Sequence, residues 1–257
     1  MSAGALHAAV AAGSPVVGHA IAADDWGTLD AAGAQFADCT FAGVRFTGTD
    51  LRETRFQRCR LFDCSFGRAD LREAEFDECV LVERLPGGDP RGCRFAFGDA
   101  RQVRFLRCDL SFAGFDRIDL HGVEMEGCNL RGARFEAVEF SHAFSRKVVV
   151  TRAAFRHCNL ELAALADLRL PGAEFTGSRL READLSSTDL TDADLRDCDL
   201  TQAVLVDARL DGADLRGAEL GGLDLSLLAG FARLKILQSQ QFDLLTGIGV
   251  DVHPDPA

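Results

Sequence analysis

Large apolar side chains recur at every fifth position along most of the chain. The series runs from Phe36 to Leu81, breaks once, resumes at Phe95 and continues to Leu225. Nearly all of its centres are Leu or Phe, and the residue two positions before each centre is small or of modest size. This period fits neither an α-helix, which repeats about every 3.6 residues, nor a half-buried strand, which alternates. The pattern predicts a solenoid that turns a corner once per repeat and points one large and one small side chain inward on each side.

The repeat resembles the pentapeptide-repeat family, whose consensus is A(D/N)Lxx, and the stretch "READLSSTDLTDADLRDCDL" carries it most clearly. The resemblance implies an all-β solenoid, a right-handed quadrilateral β-helix in which four repeats complete one coil. We expect this β-helix to begin near Trp26 and to span residues 26–227. Residues 1–25 would form an N-terminal extension, either disordered or packed as an end cap. Residues 228–257 would form a C-terminal capping and dimerisation segment.

Two stretches interrupt the repeat. The first, Arg84–Gly92, is rich in Pro and Gly and is predicted to be a surface loop that uses up no side of the coil. The second, residues 141–152, keeps the phase but loses the pattern, so it is either two degenerate repeats or a loop whose length is a multiple of the repeat. Stacking favours part of it staying on the coil, because Phe155 would then continue the column of Phe135. Two opposite sides then carry aromatic columns: Phe46, Phe66, Phe95, Phe115, Phe135, Phe155 and Phe175 on one, and Phe36, Phe56, Phe76, Phe105 and Met125 on the other.

All nine cysteines lie two positions before a centre, and their side chains are therefore expected to point into the coil. Five of them are predicted to form one column: Cys39, Cys59, Cys79, Cys108 and Cys128. Stacked thiols are poorly placed for disulfides, and no C-x-x-C metal pair is present. We therefore expect buried, reduced thiols, which favour a cytoplasmic location. The sequence offers no catalytic triad and no phosphate-binding loop, and we expect neither an enzyme nor a cofactor or metal.

The chain carries a net charge of −12. This charge argues against direct binding to nucleic acid, which normally needs a basic surface. No apolar run approaches the roughly 20 residues needed to span a bilayer, so we expect no membrane association. The first Lys or Arg is Arg45, and a secretion signal normally starts with such residues, so we expect the N-terminal stretch to be an extension instead.

The acidic residues are distributed unevenly among the four predicted sides. On one side the residue before the centre is a carboxylate in most coils, and we treat these residues as a candidate acidic face: Asp50, Asp70, Asp99, Asp119, Glu139, Asp199 and Glu219. Asp at this position also caps the turn, but capping does not explain the excess on one side. A carboxylate row with a spacing of about 5 Å predicts a DNA-like field. Simple solvation is the alternative, and Arg52, Arg72 and Arg101 on the same side weaken the field.

The repeat ends after Leu225. Residues Ser239–Thr246 are predicted to form a short helix, with Ser239 as its N-cap and Gly247 as its stop, and "GVDVHP" is predicted to form a strand. This segment is more apolar than the end cap of a monomer requires. It therefore predicts a two-fold self-pairing through Phe242, Leu244, Leu245, Ile248, Val250 and Val252.

The loop that ends in "RGCRF", the second irregular stretch and "LKILQSQQFDLLTGIGV" are together similar to the Qnr quinolone-resistance proteins. The resemblance implies a homodimeric rod that mimics duplex DNA, binds DNA gyrase and topoisomerase IV, and protects them from quinolones or similar inhibitors. It also implies that the two loops contact the enzyme, through Arg84, Asp89 and Arg91 in the first and Phe144, Arg146, Lys147 and Arg152 in the second. The alternative is a pentapeptide-repeat scaffold with a partner other than a topoisomerase.

Overall fold

The computed structural model describes residues 3–22, 30–84, 87–145 and 148–253. The chain forms many very short strands between two helices. Numbered along the chain, the elements are α1 (Ala3–Ala11), β1 (Val16–Val17), β2 (Ala20–Ile21), β3 (Gln35–Ala37), β4 (Thr40–Ala42), β5 (Arg55–Gln57), β6 (Arg60–Phe62), β7 (Ser65–Gly67), β8 (Glu75–Asp77), β9 (Val82–Glu83), β10 (Arg91–Gly92), β11 (Arg94–Ala96), β12 (Arg104–Leu106), β13 (Gly114–Asp116), β14 (Val123–Glu126), β15 (Arg134–Glu136), β16 (Ser141–Ser145), β17 (Val148–Thr151), β18 (Ala153–Arg156) and α2 (Gln241–Gly247). Two 3-10 helices lie at Leu225–Leu227 and Gln238–Gln240.

Each coil pairs in parallel with the coils before and after it, which confirms the β-helix. The order β1-β3-β5-β8-β12-β14-β18 forms one ladder, β2-β4-β6 a second and β7-β11-β13-β15 a third. Isolated parallel bridges, such as Asp50 with Asp70, form the fourth side and continue all four sides through the C-terminal half. The pairing register therefore assigns every repeat to one of four faces.

We name the four faces A to D by the buried centres they carry. Face A carries Phe36, Phe56, Phe76, Phe105, Met125, Phe155, Phe175, Leu195 and Leu215. Face B carries Phe41, Leu61, Leu81, Leu110, Leu130, Leu160, Leu180, Leu200 and Leu220. Face C carries Phe46, Phe66, Phe95, Phe115, Phe135, Leu165, Leu185 and Leu205. Face D carries Leu51, Leu71, Ala100, Leu120, Phe140, Leu170, Leu190 and Leu210.

The first interruption leaves the coil without using a side, as predicted. Strands β9 and β10 pair with each other in antiparallel register and form hairpin 1, residues 82–92. On either side of it, Phe66 pairs with Phe95 and Phe76 pairs with Phe105. The aromatic columns therefore continue across the break, and the rings of Phe66 and Phe95 are stacked 4.6 Å apart.

The second interruption corrects the predicted stacking. Strands β16 and β17 also pair in antiparallel register and form hairpin 2, residues 141–151, so this stretch is not a pair of degenerate repeats. Phe155 pairs with Met125 on face A and does not continue the column of Phe135. Its ring meets Phe135 edge-on at 89° but is stacked on Phe175. Because the hairpin inserts a multiple of the repeat length, it preserves the sequence phase while shifting every later repeat by two faces.

The corners explain the polar positions of the repeat. The residue two after a centre adopts a left-handed conformation, as at Glu53 with φ 56°, and its N–H donates to a carbonyl of the next coil. The carboxylate before the centre accepts the turn's N–H, as between Asp50 Oδ1 and Arg52 N at 3.1 Å. Asn129 and Asn159 accept the equivalent bonds. Asp or Asn at this position is therefore a turn cap first, whatever else its charge does.

The core is a continuous column of Leu, Phe, Ala and Cys side chains. The Cys column is present: the N–H groups of Cys59, Cys79 and Cys108 each contact the sulfur of the cysteine one coil further along, at 3.4 Å. All nine cysteines are buried and unpaired by disulfides. Burial raises the pKa of the Cys198 thiol to about 12.

Coil pairing extends beyond the predicted limits at both ends. Val16 pairs with Phe36, and Ile21 pairs with Phe41, so coil structure starts before Trp26, which itself lies outside the described residues. Helix α1 contacts the first coil and buries Leu6, which makes it an end cap. At the other end, Lys235 still pairs with Asp214.

The C-terminal segment differs from the prediction in two ways. Helix α2 starts at Gln241, so Ser239 lies in the preceding 3-10 helix and is not an N-cap. Residues 248–253 form no strand. The buried Gln240 anchors the segment instead, because its amide donates 2.8 Å hydrogen bonds to the carbonyls of Leu215 and Ala218. In the described part of the chain, no helix has the length and apolar character needed to cross a membrane.

Candidate interaction surfaces

Hairpin 1 leans over face B. The Arg84 guanidinium lies 3.3 Å from Asp109 Oδ2 and 3.5 Å from Ser111 Oγ, both on that face. Gly92 packs so closely against the Phe112 and Ala113 backbone that a side chain there would clash. Asp89 and Arg91 are exposed. The hairpin therefore has a fixed stem and presents three charged side chains at one edge of the coil.

Hairpin 2 is docked on face D. His142 Nε2 lies 3.0 Å from Asp119 Oδ2, and its ring centre is 4.8 Å from that of His121. Ser141 and Thr151 close the stem through a 2.8 Å hydroxyl contact. Phe144 belongs to strand β16, whereas Arg146 and Lys147 lie outside the described residues.

Arg152 lies where the chain returns to the coil. Its carbonyl accepts a 2.7 Å bond from the N–H of Gly122, and its side chain is exposed. It lines a groove of about 830 Å³ along the edge between faces D and A, together with Glu73, Arg104 and Glu124. Among the described residues, no group of three or more His, Cys, Asp or Glu side chains is placed to hold a metal ion.

The candidate acidic face is split between two opposite faces. Asp50, Asp70, Asp99, Asp119 and Glu139 pair in sequence on face D. Asp199 and Glu219 pair with Arg179 and with each other on face B, so the prediction of one seven-residue row is wrong. The cause is the two-face shift at hairpin 2. Asp30, which sequence reasoning missed, pairs with Asp50 and extends the face D row at its N-terminal end.

Arginines neutralise much of the row on face D. Arg52 contacts Asp50 at 2.6 Å and Asp70 at 3.7 Å. Arg72 bridges Asp70 and Asp99 in the same way, and Arg101 bridges Asp99 and Asp119. The hydrogen bond from Arg52 lowers the pKa of Asp50 below its ordinary 3.8. The row is therefore a ladder of alternating charges with carboxylate ends.

The C-terminal segment presents an exposed apolar surface. Five of the six residues predicted for dimerisation are exposed: Phe242, Leu245, Ile248, Val250 and Val252. Leu244 is the exception, because it is 6% exposed and packs into the coil core. Helix α2 therefore uses one side to close the coil and leaves the other side uncovered.

Sequence and structure comparisons agree with this architecture. A family model described as pentapeptide repeats matches residues 32–68, 113–144, 158–197 and 193–227. The chain belongs to the pentapeptide-repeat family. No curated protein sequence matches it.

Solved structures of QnrB1, a plasmid-mediated fluoroquinolone resistance protein, have a similar fold. One trypsin-treated form of QnrB1 is 24% identical over 92% of this pentapeptide-repeat chain and 100% of that chain, with a TM-score of 0.66. Full-length QnrB1 is 22% identical over 92% of this chain and 100% of that chain, with a TM-score of 0.62. The similarity therefore covers most of this chain and the whole of QnrB1.

Proposed function

We propose that this pentapeptide-repeat protein binds type II topoisomerases, DNA gyrase or topoisomerase IV, and protects them from quinolones or similar inhibitors. The observation that carries the proposal is the match to QnrB1 over 92% of this chain and the whole of QnrB1, although identity is low. The two hairpins and the C-terminal helical cap on a strongly acidic rod add support. No catalytic role is part of the proposal, because recognition by this fold uses its outer surface.

The hairpins are proposed as the elements that decide protection. They are the parts of the described chain that leave the regular coil in antiparallel register. On hairpin 1 the proposed contacts are Arg84, Asp89 and Arg91. On hairpin 2 they are Phe144, Arg146, Lys147 and the exit residue Arg152.

DNA mimicry is proposed only for the carboxylates of face D, from Asp50 to Glu139. Their regular spacing along the rod supports the idea, whereas the arginine ladder weakens the field that they produce. We therefore expect the charge to steer the rod to a basic surface and to contribute less to the final affinity than the hairpins do.

A homodimer through the C-terminal segment is also proposed. The apolar side of Phe242, Leu245, Ile248, Val250 and Val252 would pair across a two-fold axis, and Leu244 would stay inside the coil. Two rods joined in this way would lie end to end.

The second candidate is a scaffold that binds a different protein. The near-complete pairing of Arg52, Arg72 and Arg101 with the acidic row favours it, because a neutralised row resembles DNA less than a bare one. Measured affinity for gyrase distinguishes the two candidates.

The test compares gyrase binding by two variants of equal charge. In the first, Asp50, Asp70, Asp99 and Asp119 are replaced by Asn; in the second, Asp189, Asp194, Asp199 and Asp214 are replaced by Asn. Each of these eight Asp side chains accepts a hydrogen bond from the backbone N–H two residues later and so caps its turn. Asn can keep this cap, as Asn129 and Asn159 do. The wild type should bind, and the first variant should bind about tenfold more weakly at physiological salt.

The second variant is the control and should bind as the wild type does. Equal losses in both variants would contradict mimicry by face D. Absence of wild-type binding to both gyrase and topoisomerase IV would leave the scaffold as the function.

A further inference from the structure

Face C separates its charges along the rod. Its N-terminal half carries Arg45, Arg68, Arg94, Arg117 and Arg134, and its C-terminal half carries Asp167, Asp184 and Asp207. Two carboxylates, Asp116 and Glu136, lie near the middle. On face D, by contrast, opposite charges alternate within each coil.

The arginines of face C have few partners within the chain. Arg45 contacts Asp63 at 3.5 Å, but among the described residues no ion pair joins Arg68, Arg94 or Arg134 to a carboxylate. Arg117 contacts Asp116 at 2.9 Å and lies over the Phe97 ring at 4.6 Å from its centre. Three exposed arginines on one flat face therefore remain available for carboxylates from outside the chain.

We propose that face C binds face C of a second copy, with the two rods side by side and antiparallel. A two-fold axis perpendicular to the rods passes through the coil of Phe135. Each coil that lies a given number of coils before Phe135 in one copy then faces the coil that lies the same number after Phe135 in the second copy. The ladder order of the residue before each centre is Ser65, Arg94, Gly114, Arg134, Ala164, Asp184 and Val204. The basic half of one copy then meets the acidic half of the other.

This alignment pairs the opposite charges along the face. Arg94 faces Asp184 of the second copy, and both precede a centre. At the corner position, two after a centre, Arg68 faces Asp207 of the second copy and Arg117 faces Asp167 of the second copy. On the axis, Arg134 faces Arg134 of the second copy and Glu136 faces Glu136 of the second copy, and the diagonal contacts between Arg134 and Glu136 offset these like charges. The two-fold axis repeats each opposite-charge pair, so one interface contains every such pair twice.

The same alignment matches large side chains with small ones. Face C exposes three large apolar residues: Phe97 (51%), Val204 (45%) and Val206 (42%). Phe97 falls opposite Ser187, Val204 opposite Ser65, and Val206 opposite Gly67. The second copy would therefore cover the three exposed apolar side chains of each rod.

Other alignments keep fewer of these pairs. A shift of one coil places Arg94 against Ala164 or Val204 and removes the direct pairs. A shift of two coils in one direction sets Arg117 against Arg117. In the other direction it pairs Arg134 with Asp184 and Arg117 with Asp207, but it sets Asp167 against Asp167 and leaves Arg94 and Arg68 without partners. A parallel arrangement sets the basic halves against each other. The register centred on Phe135 therefore contains the most opposite-charge pairs, and the charge pattern favours the antiparallel orientation.

Hairpin 1 leaves face B, contacts that face through Arg84 and returns to the coil directly before Arg94 of face C. Hairpin 2 starts on face D and returns to face A at Phe155. The contact uses residues other than those proposed to bind topoisomerase and differs from the C-terminal contact in position. Use of both contacts would give longer assemblies, because their two-fold axes lie at different points along the rod.

The test measures self-association of the full chain by sedimentation at physiological salt, where the repulsion between two copies of net charge −12 is screened. The wild type should form a side-by-side dimer whose length, measured by small-angle X-ray scattering, is that of one rod. If the C-terminal contact forms as well, the wild type should form a larger assembly that Arg94→Asp reduces to the end-to-end dimer. Arg94→Asp and Asp184→Arg should each weaken this dimer about tenfold or more, because each substitution acts at two symmetric contacts.

The decisive sample is an equimolar mixture of the two single variants. Each variant opposes like charges in its own dimer, but a mixed dimer restores both pairs, so the mixture and the double variant should dimerise as the wild type does. Arg169→Asp and Asp189→Arg on face D are matched controls and should not change association. Asp189 caps its turn as Asp184 does, through the N–H and hydroxyl of the residue two positions later.

Three results would overturn the proposal. The first is a wild type that is monomeric, or joined only end to end with twice the rod length. The second is normal dimerisation of the single variants, and the third is a mixture of the two variants that fails to recover dimerisation. Binding of duplex DNA that Arg94→Asp abolishes, without a side-by-side dimer, would also overturn it. Failure of the face C dimer would not bear on the proposed topoisomerase binding, because gyrase binding and protection are measured separately.

Discussion

The two halves of the β-helix, before and after hairpin 2, share one backbone and differ in what fills it. In the N-terminal half, Phe rings stack along faces A and C, as with Phe56 on Phe76 at 4.7 Å and 6°. In the C-terminal half, Leu165, Leu185 and Leu205 occupy the same column of face C. Yet the coil-to-coil hydrogen bonds are alike: Leu51 N to Asp70 O and Leu190 N to Arg209 O are both 2.8 Å. The corners and the backbone ladder set the coil, and different side chains of sufficient volume can fill it.

The halves also differ in their outer charges. On face D, the N-terminal half places Asp in successive coils, each linked by an arginine. Beyond hairpin 2, the same column reads Arg169, Asp189 and Arg209. The row of carboxylates that the sequence phase predicts along the whole rod is therefore confined on face D to the N-terminal half, which is the half with a DNA-like spacing of carboxylates.

The largest expected effect comes from emptying the aromatic core. Phe115 is 1% exposed and is stacked between Phe95 and Phe135 at 5.0 and 4.7 Å. Phe115→Ala should lower the free energy of unfolding by about 3–5 kcal/mol, and Leu185→Ala in the other half by about 2–4 kcal/mol. Denaturant unfolding of both variants checks this order. A larger loss of unfolding free energy for Leu185→Ala than for Phe115→Ala would show that the half with stacked rings is not the better packed one.

Removal of hairpin 2 should have a much smaller effect. Because the register of Met125 with Phe155 already bypasses the hairpin, deletion of residues 142–151 should leave both halves of the coil stacked. The free energy of unfolding should change by about 1 kcal/mol or less, as expected for shortening a surface loop. Circular dichroism and thermal unfolding are the measurements. Collapse of the fold would mean that the deleted residues belong to the coil.

The smallest effect concerns acid, and it should appear in both halves. Hydrogen bonds from Arg52 and Arg216 lower the pKa values of Asp50 and Asp214 below the ordinary 3.8. Groups with a depressed native pKa stabilise the fold above their unfolded pKa, and this stability is lost as the pH falls through the native pKa. Stability should therefore decline below about pH 4. Asp50→Asn and Asp214→Asn should each flatten this decline slightly, and an unchanged pH profile in both would contradict the assignment.

Much of the architecture follows from sequence because one residue in five is buried without exception over long stretches. The stacking of Phe66 on Phe95 could be predicted because the length of hairpin 1 is not a multiple of five, so the hairpin interrupts the repeat phase visibly. Hairpin 2 could not be resolved in this way, because its length preserves the phase; only the pairing of Phe155 with Met125 exposes the shift. The β-branched run Val148–Val150 was the available signal for a strand there.

The ends and the ion pairs needed the structure for other reasons. Val16 and Ile21 keep the phase of Phe36, and this continuation was overlooked. One extra residue after Leu225 shifts the phase and conceals the last two pairings, of Arg209 with Gly230 and of Asp214 with Lys235. The anchoring role of Gln240 depends on contacts with Leu215 and Ala218, which no local pattern encodes. The same holds for the arginine ladder, whose geometry depends on neighbouring coils.

The central claim, topoisomerase protection, is tested most directly by DNA supercoiling with gyrase in the presence of a fluoroquinolone, with increasing amounts of the purified protein. The proposal predicts that supercoiling inhibited by the drug recovers as the protein is added, and that the variant lacking residues 142–151 restores less activity than the wild type at equal concentration. Unchanged inhibition across the titration, with both gyrase and topoisomerase IV, would contradict the claim.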